Sequence, residues 1–323
     1  MKKINIGVIG LGRWGKNYLR IFNELHRSRV ILVCDKKFVQ IKNQNYTTSS
    51  SELIKSKEID AVVIATEATS HYELAKKALL NNKHVLVEKP LTDNYKTSIE
   101  LAKLSKVKNK ILMVGHTFLY NRAIQKMKKL INNNKLGKIY YINCRRTHIG
   151  PVRKDVNVIW DLATHDLSII NFLLDQSPKK VFATGGKHIS NNIDVAYINL
   201  FYKNKIIGNI HVSWEDSNKS RTVEIIGSKA RIIFDDLNFL EPIKIFNKGI
   251  GIDSNFSNFG ESQYKLRDGN IISPKIFLNE PLKEMCDNFL ESIILNKKPL
   301  SDGVFSANLV KTLDVINQKI NII

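Results

Sequence analysis

Short apolar runs alternate with helix-period segments through the first third of the chain. Residues 4–9, 30–34, 61–65, 84–87 and 111–114 read as strands, with helical stretches near 51–56, 70–80 and 95–105 between them. That alternation predicts a parallel sheet covered on both faces, with a ligand crevice at the carboxyl ends of its strands. From about residue 122 the pattern changes. A helix over 122–131 is followed by a strand over 138–146, a polar loop around Gly150-Pro151 and a helix over 158–174. Strands then follow one another at 180–183, 195–202, 206–214, 221–226 and 230–234. The short polar turns between them, such as Lys203-Asn204 and Gly227-Ser228, predict a mostly antiparallel meander. Residues 247–274, rich in Asn, Ser and Gly, read as an irregular insertion, and helices over 281–295 and 303–320 close the chain.

The expected fold class is therefore α/β. A doubly wound, dinucleotide-binding parallel sheet spans 1–121, and an α+β domain for substrate and assembly spans 122–323. Its 323 residues, 43% hydrophobic and 25% charged, suffice for two cores. No apolar run approaches the roughly 18 residues of a membrane span. Met1-Lys2-Lys3 leads directly into the first strand, so the expected location is cytoplasmic. Cys34, Cys144 and Cys286 are too few and scattered for a disulfide framework or a zinc site. The formal charge of +20 comes from lysines dispersed along the whole chain. Lys126, Lys128 and Lys129 alternate with Ile124, Met127, Leu130 and Ile131 as the solvated face of one helix. This pattern attracts an anionic small molecule and gives no reason to expect a nucleic-acid partner.

The first strand runs into Gly10-Leu11-Gly12-Arg13-Trp14-Gly15, with Asp35 at the end of the next strand. Gly10 permits a tight turn, Gly12 a close approach of backbone to pyrophosphate, and Gly15 close packing of helix on strand. Arg13 and Trp14 join these glycines as expected cofactor contacts. Asp35 would bind the adenosine ribose and select NAD over NADP, an exclusion that Lys36 and Lys37 weaken. Past the third strand, Thr66, Ser70 and His71 are candidates for cofactor contact. Ser70 with Glu73 equally fits a helix capping box.

Past the fourth strand, Glu88-Lys89-Pro90 holds a cation at the crevice, with Pro90 setting the turn. In the second half, Asp161 and His165 stand at i and i+4 of a helical pattern, where a carboxylate can orient an imidazole or share its substrate. A local helix hydrogen bond is the other reading of that pair. No third ligand accompanies it, so no metal is expected. Arg153, Lys154 and Asn157 could bind a diphosphate or sugar hydroxyls, or simply decorate a solvated loop.

Taken together, Gly10-x-Gly12-x-x-Gly15, the Thr66–His71 loop, Glu88-Lys89-Pro90 and the Asp161/His165 helix resemble the Gfo/Idh/MocA family of nicotinamide-dependent sugar oxidoreductases. The resemblance covers essentially the whole chain. It implies a Rossmann domain followed by a domain with an open-faced sheet that mediates homodimers or homotetramers. It also implies catalytic roles for Lys89, Asp161 and His165. The chain departs from the family pattern at Glu67, where proline is frequent, at Leu162-Ala163-Thr164, where a glycine often stands, and at Ser168, where an acid is common and Asp166 lies nearby. The segments 150–166 and 213–221 look most similar to members that act on nucleotide-linked amino sugars, such as those oxidising UDP-N-acetylglucosamine at C3. A non-catalytic NAD- and sugar-binding sensor on the same fold, or a ketoreductase of a free or dTDP-linked sugar, are the alternatives.

Overall fold

The computed structural model describes residues 3–37, 41, 44–153, 156–252, 264–277 and 279–323. Its elements in chain order begin with β1 (Ile4–Ile9), α1 (Arg13–Glu24), β2 (Ser28–Cys34), β3 (Tyr46–Thr47), α2 (Ser50–Lys55) and β4 (Ala61–Ile64). There follow α3 (Ala68–Leu80), β5 (His84–Val87), α4 (Tyr95–Val107), β6 (Leu112–Val114), α5 (Arg122–Asn132) and β7 (Ile139–Ile149). A π-helical turn, Ile159–Ala163, leads into α6 (Thr164–Leu174) and then β8 (Lys180–Gly186), β9 (Val195–Phe201), β10 (Ile207–Ser213) and β11 (Glu215–Gly227). The remainder is β12 (Arg231–Asp235), β13 (Ile243–Phe246), β14 (Gly249–Ile252), β15 (Tyr264–Arg267), β16 (Ile271–Ile272), α7 (Pro281–Leu295), α8 (Gly303–Lys319) and β17 (Asn321–Ile322).

The chain forms two compact units, Met1–Tyr120 with Asn279–Asp314, and Asn121–Leu278 with Val315–Ile323. The expected second domain of 122–323 is thus corrected, because residues 279–314 return to the first unit. A local contact explains the return. The N–H of Val114 donates to the carbonyl of Ser301 at 2.9 Å, and Ser301 Oγ donates back to the Val114 carbonyl at 2.6 Å. Met113 also bridges Asp302, so the returning strand of chain covers backbone groups that the edge strand β6 would otherwise leave unpaired.

In the first unit six parallel strands lie in the order β3-β2-β1-β4-β5-β6. Ile6, Val8, Val33, Val62, Val63, Val85 and Leu86 are wholly buried, which explains why these strands read as unbroken apolar runs rather than alternating ones. Tyr18, Ile21 and Phe22 of α1 are also wholly buried, and the edge of the Phe22 ring meets Phe289 of α7.

The second unit is built on a nine-stranded sheet in the order β16-β13-β12-β11-β7-β10-β9-β8-β17. Its neighbours are antiparallel except for the β7–β10 and β8–β17 pairs. Period-two alternation divides its faces. Ala196, Ile198 and Leu200 of β9 and Ile210 and Val212 of β10 are buried, while Tyr197 of β9 and Ile207 of β10 are exposed and His211 is half-buried. Within the stretch expected to be irregular, β14 pairs with β15 and β16 with β13. Gly-Ile-Gly-Ile reads as a glycine-rich loop until its partner strand is known. The helix expected over 158–174 is present over that range, with the π turn running directly into α6.

Candidate active site

The first unit gathers most of the residues expected to bind a cofactor. β1 runs into Gly10, which has φ +90° and whose N–H donates to the Cys34 carbonyl at 2.8 Å. A Cβ there would lie 2.6 Å from the Ala65 carbonyl oxygen, and one at Gly15 would lie 1.7 Å from that of Gly10. Both glycines are therefore required by the fold itself. Gly12 differs, since a Cβ would meet no protein atom within 4 Å. Gly12 is also the N-cap of α1, with no side-chain cap and no acid in the helix's first turn. Unsatisfied N–H groups, a positive dipole end and room for close approach fit the pyrophosphate of NAD. Arg13 and Trp14 project from this first turn and are exposed.

Asp35 lies just beyond β2. Its Oδ2 accepts the Leu11 N–H at 2.6 Å and its Oδ1 the Lys37 N–H at 3.2 Å. These bonds tie the carboxylate to the glycine loop, where it can accept from ribose hydroxyls. Beyond β4, Thr66 and Ser70 share a 2.7 Å hydroxyl contact, and Ser70 Oγ donates to the Glu67 carbonyl at 2.8 Å. The N-cap of α3 is Glu67 and no side chain caps it, which overturns the Ser70/Glu73 capping box. His71 is buried, and its Nδ1 and Nε2 lie 2.8 Å and 3.1 Å from the carbonyls of Pro90 and Thr66. Burial lowers its pKa. The ring braces two crevice loops against each other, with both nitrogens facing backbone carbonyls.

Glu88 and Lys89 follow β5 directly, and the Lys89–Pro90 peptide is cis. The Glu88 side chain is buried, accepts the Tyr18 hydroxyl at 2.6 Å and takes the Lys89 N–H on its other oxygen at 3.1 Å. Desolvation raises the Glu88 pKa against the opposing pull of these partners. Glu88 accordingly fixes the peptide that carries Lys89. A residue absent from the sequence expectations stands nearby. His116 lies beyond β6, is 2% exposed, and has neither ring nitrogen hydrogen-bonded. Burial, reinforced by the Lys89 ammonium, depresses its pKa to about 3. The strand-end rule that singled out Glu88-Lys89 would have found it had it been applied to β6 as well.

The second unit carries the remaining candidates. Asp161 lies in the π turn and His165 in the first turn of α6. Such turns, with their wider hydrogen-bond ring, occur frequently at functional sites. Asp161 Oδ1 accepts from the Arg153 guanidinium at 3.1 Å and Oδ2 from the Trp214 indole at 3.3 Å, so this carboxylate is clamped from both sides. His148, another residue not foreseen, is held low in pKa mainly by burial and by Arg221, while Asp161 raises it.

Asn157 is otherwise engaged. Its Oδ1 accepts the N–H groups of Ile159 and Trp160 at 3.2 Å each, and its Nδ2 donates to Asn317 at 2.8 Å. Its oxygen thus satisfies the first N–H groups of the helical segment. Ser168 Oγ donates to the His165 carbonyl at 2.6 Å. Asp166 turns into the core and forms a bidentate pair with Arg146, at 2.9 to 3.2 Å, with both side chains buried. Lys154 lies outside the described residues.

Residues 4–116 match the oxidoreductase family described by its NAD-binding Rossmann fold, and residues 124–233 match the GFO/IDH/MocA C-terminal domain. Among characterised relatives, the myo-inositol 2-dehydrogenase of Thermotoga maritima is 23% identical over 257 residues, covering 72% of this chain and 76% of that protein. The UDP-N-acetylglucosamine 3-dehydrogenase of Acidithiobacillus ferrooxidans is 24% identical over 248 residues, covering 76% and 74%. A crystal structure of the latter enzyme superposes with a TM-score of 0.82 at 22% identity, covering 99% of this chain and 98% of that one.

Proposed function

Since the chain belongs to the Gfo/Idh/MocA oxidoreductase family and its first unit is an NAD-binding Rossmann domain, we infer that it oxidises a sugar hydroxyl, with a nucleotide-linked amino sugar of the UDP-N-acetylglucosamine kind as substrate and C3 as the reacting carbon. When bound, NAD supplies the hydride acceptor. The chain supplies orientation, charge and the proton route. Lys89 hydrogen-bonds the reacting oxygen and stabilises it as it becomes a carbonyl, and His165 accepts the hydroxyl proton. Asp161, held by Arg153 and Trp214, keeps a fixed acceptor one helical turn before that imidazole.

The observation that supports this reading most directly is the Gly12 cradle together with the Asp35 carboxylate pinned to the same loop. A dinucleotide with an unmodified adenosine ribose matches both. A cytoplasmic location is part of this reading, and the three free, buried cysteines are consistent with it. The two relatives named above act on an inositol and on a nucleotide sugar. The similarity of segments 150–166 and 213–221 to nucleotide-sugar enzymes is what favours the second substrate class. The enzyme works as a homodimer or homotetramer through the exposed face of the nine-stranded sheet.

Incubation with NAD and a panel of UDP-sugars and polyols, followed at the NADH absorbance, tests the reading. Turnover of UDP-N-acetylglucosamine supports it, and turnover of a polyol alone moves the substrate class. Absence of NADH with every substrate would leave a sugar-binding sensor instead. A lower KM for NADP than for NAD would overturn the role of Asp35.

A further inference from the structure

We propose that the second unit carries a divalent metal site of the zinc class, formed by His188 Nδ1, Asp194 and Glu215. Each of the three offers one donor atom, and these atoms all lie within 4.8 Å of one another. Among the described residues no other group of His, Cys, Asp or Glu is gathered in this way. The residues come from three places. His188 stands in the loop after β8, Asp194 immediately before β9, and Glu215 at the first position of β11.

The geometry suits a metal shell. Zinc bonds of roughly 2.0–2.1 Å in tetrahedral array put neighbouring donor atoms about 3.3–3.4 Å apart. His188 Nδ1 lies 2.9 Å from Glu215 Oε1 and 3.7 Å from Asp194 Oδ1, values on either side of that spacing. Asp194 is wholly buried and preset, since its Oδ2 accepts the N–H groups of His188, Ile189 and Ser190 at 2.9, 2.7 and 3.2 Å. Its Oδ1, bonded by one N–H at 3.1 Å, keeps a lone pair for a further partner. The Glu215 and Asp194 carboxyls also touch each other. Two acids so close are stabilised by a cation or a shared proton between them, and a side chain that is 56% exposed, that of His188, leaves room for a water or an external ligand in the fourth position.

A bound ion would tie the loop after β8 to the start of β11. The residue before Glu215 is Trp214, whose N–H donates to the Asp194 carbonyl at 2.9 Å and whose indole reaches Asp161. The site would thereby brace the strand end that holds Asp161. It was not legible in the sequence, because its ligands follow no metal-binding spacing and converge only when β8, β9 and β11 are assembled.

The test is a titration of chelator-stripped protein with zinc ion alone, read by calorimetry and by metal content after dialysis, with a thermal melt alongside. One zinc per chain and a raised Tm are expected. His188→Ala and Glu215→Gln should each weaken binding at least ~10-fold, and His211→Ala, on the exposed sheet face, should leave it unchanged. The two affected residues are not buried as Asp194 is, so these variants keep the fold while removing the imidazole in one case and the carboxylate charge in the other. Substoichiometric zinc in the wild type, or wild-type affinity in both His188→Ala and Glu215→Gln, would overturn the site and leave His188 as an organic counterion between two acids. Neither readout depends on the enzymatic reading.

Discussion

Tyr18 of α1 donates a 2.6 Å hydrogen bond to Glu88, and both groups are buried where β5 ends. Because the Lys89 N–H donates to the other oxygen of the same carboxylate, the pair sets the peptide from which Lys89 extends. A residue seventy positions earlier in the chain thus helps to aim the proposed catalytic lysine.

Replacing Tyr18 by Phe removes the donor and leaves a buried acceptor short of a partner, which costs about 1–3 kcal/mol. A lowered Tm with retained NAD binding is expected. The pH dependence has a definite sign. The pKa of Glu88 is raised from 4.5 by burial, so the folded state holds its proton more tightly than the unfolded one. Its contribution is full below pH 4.5 and declines as pH rises through the folded value. Thermal melts from pH 4 to 8 should show Glu88→Gln gaining on the wild type as pH increases; a constant difference would contradict this.

The glycines separate packing from binding. Gly15→Ala places a methyl against the Gly10 carbonyl and should disrupt the first unit, seen as a large drop in Tm. Gly12→Ala meets no protein atom, so its Tm should stay within the ~0.5 kcal/mol equivalent of a neutral surface change. NAD affinity, measured by fluorescence titration, should nevertheless fall. Unchanged NAD affinity in Gly12→Ala would show that the pyrophosphate lies elsewhere.

Lys89→Ala and His165→Ala should each lower kcat by at least ~100-fold, the scale of a lost acid–base group, with Tm and NAD affinity preserved. Steady-state kinetics on the substrate identified by the NADH assay provide the check. Turnover at the wild-type rate in both variants would remove them from the mechanism.

His116 predicts acid lability. Its pKa is depressed from 6.5 to about 3 by burial and then by Lys89, so the unfolded chain takes up a proton first as pH falls. The stability it confers is complete above pH 6.5 and is lost progressively toward pH 3. His84, depressed to about 4 by burial and by Lys110, acts in the same direction. His116→Phe should therefore flatten the fall of Tm between pH 6.5 and 4, leaving the part due to His84. An unaltered slope would mean that His116 is solvated in the native protein.

The parallel sheet was legible because strands buried on both faces read as apolar runs and each was punctuated by a helix. β3 escaped because Tyr46-Thr47 is too short to show a pattern, and β14 because its glycines imitate a loop. The positions of the glycine loop, Asp35 and Lys89 at strand ends were legible because each follows directly on an apolar run. The commitments of Asn157 to a cap, His71 to two carbonyls and Asp166 to Arg146 were not, since each depends on which way a side chain turns in three dimensions. Arg146 and Asp166 are partners only because β7 lies beneath α6.

The return of residues 279–314 to the first unit has a consequence for the order of events during synthesis. The neighbour of β6 is translated only after nearly all of the second unit. The nucleotide-binding half therefore stays unfinished while the half translated after it already has almost its full sequence. A nascent chain stalled before Ser301 would hold a complete set of parallel strands with one raw edge, available to chaperones or to another nascent copy.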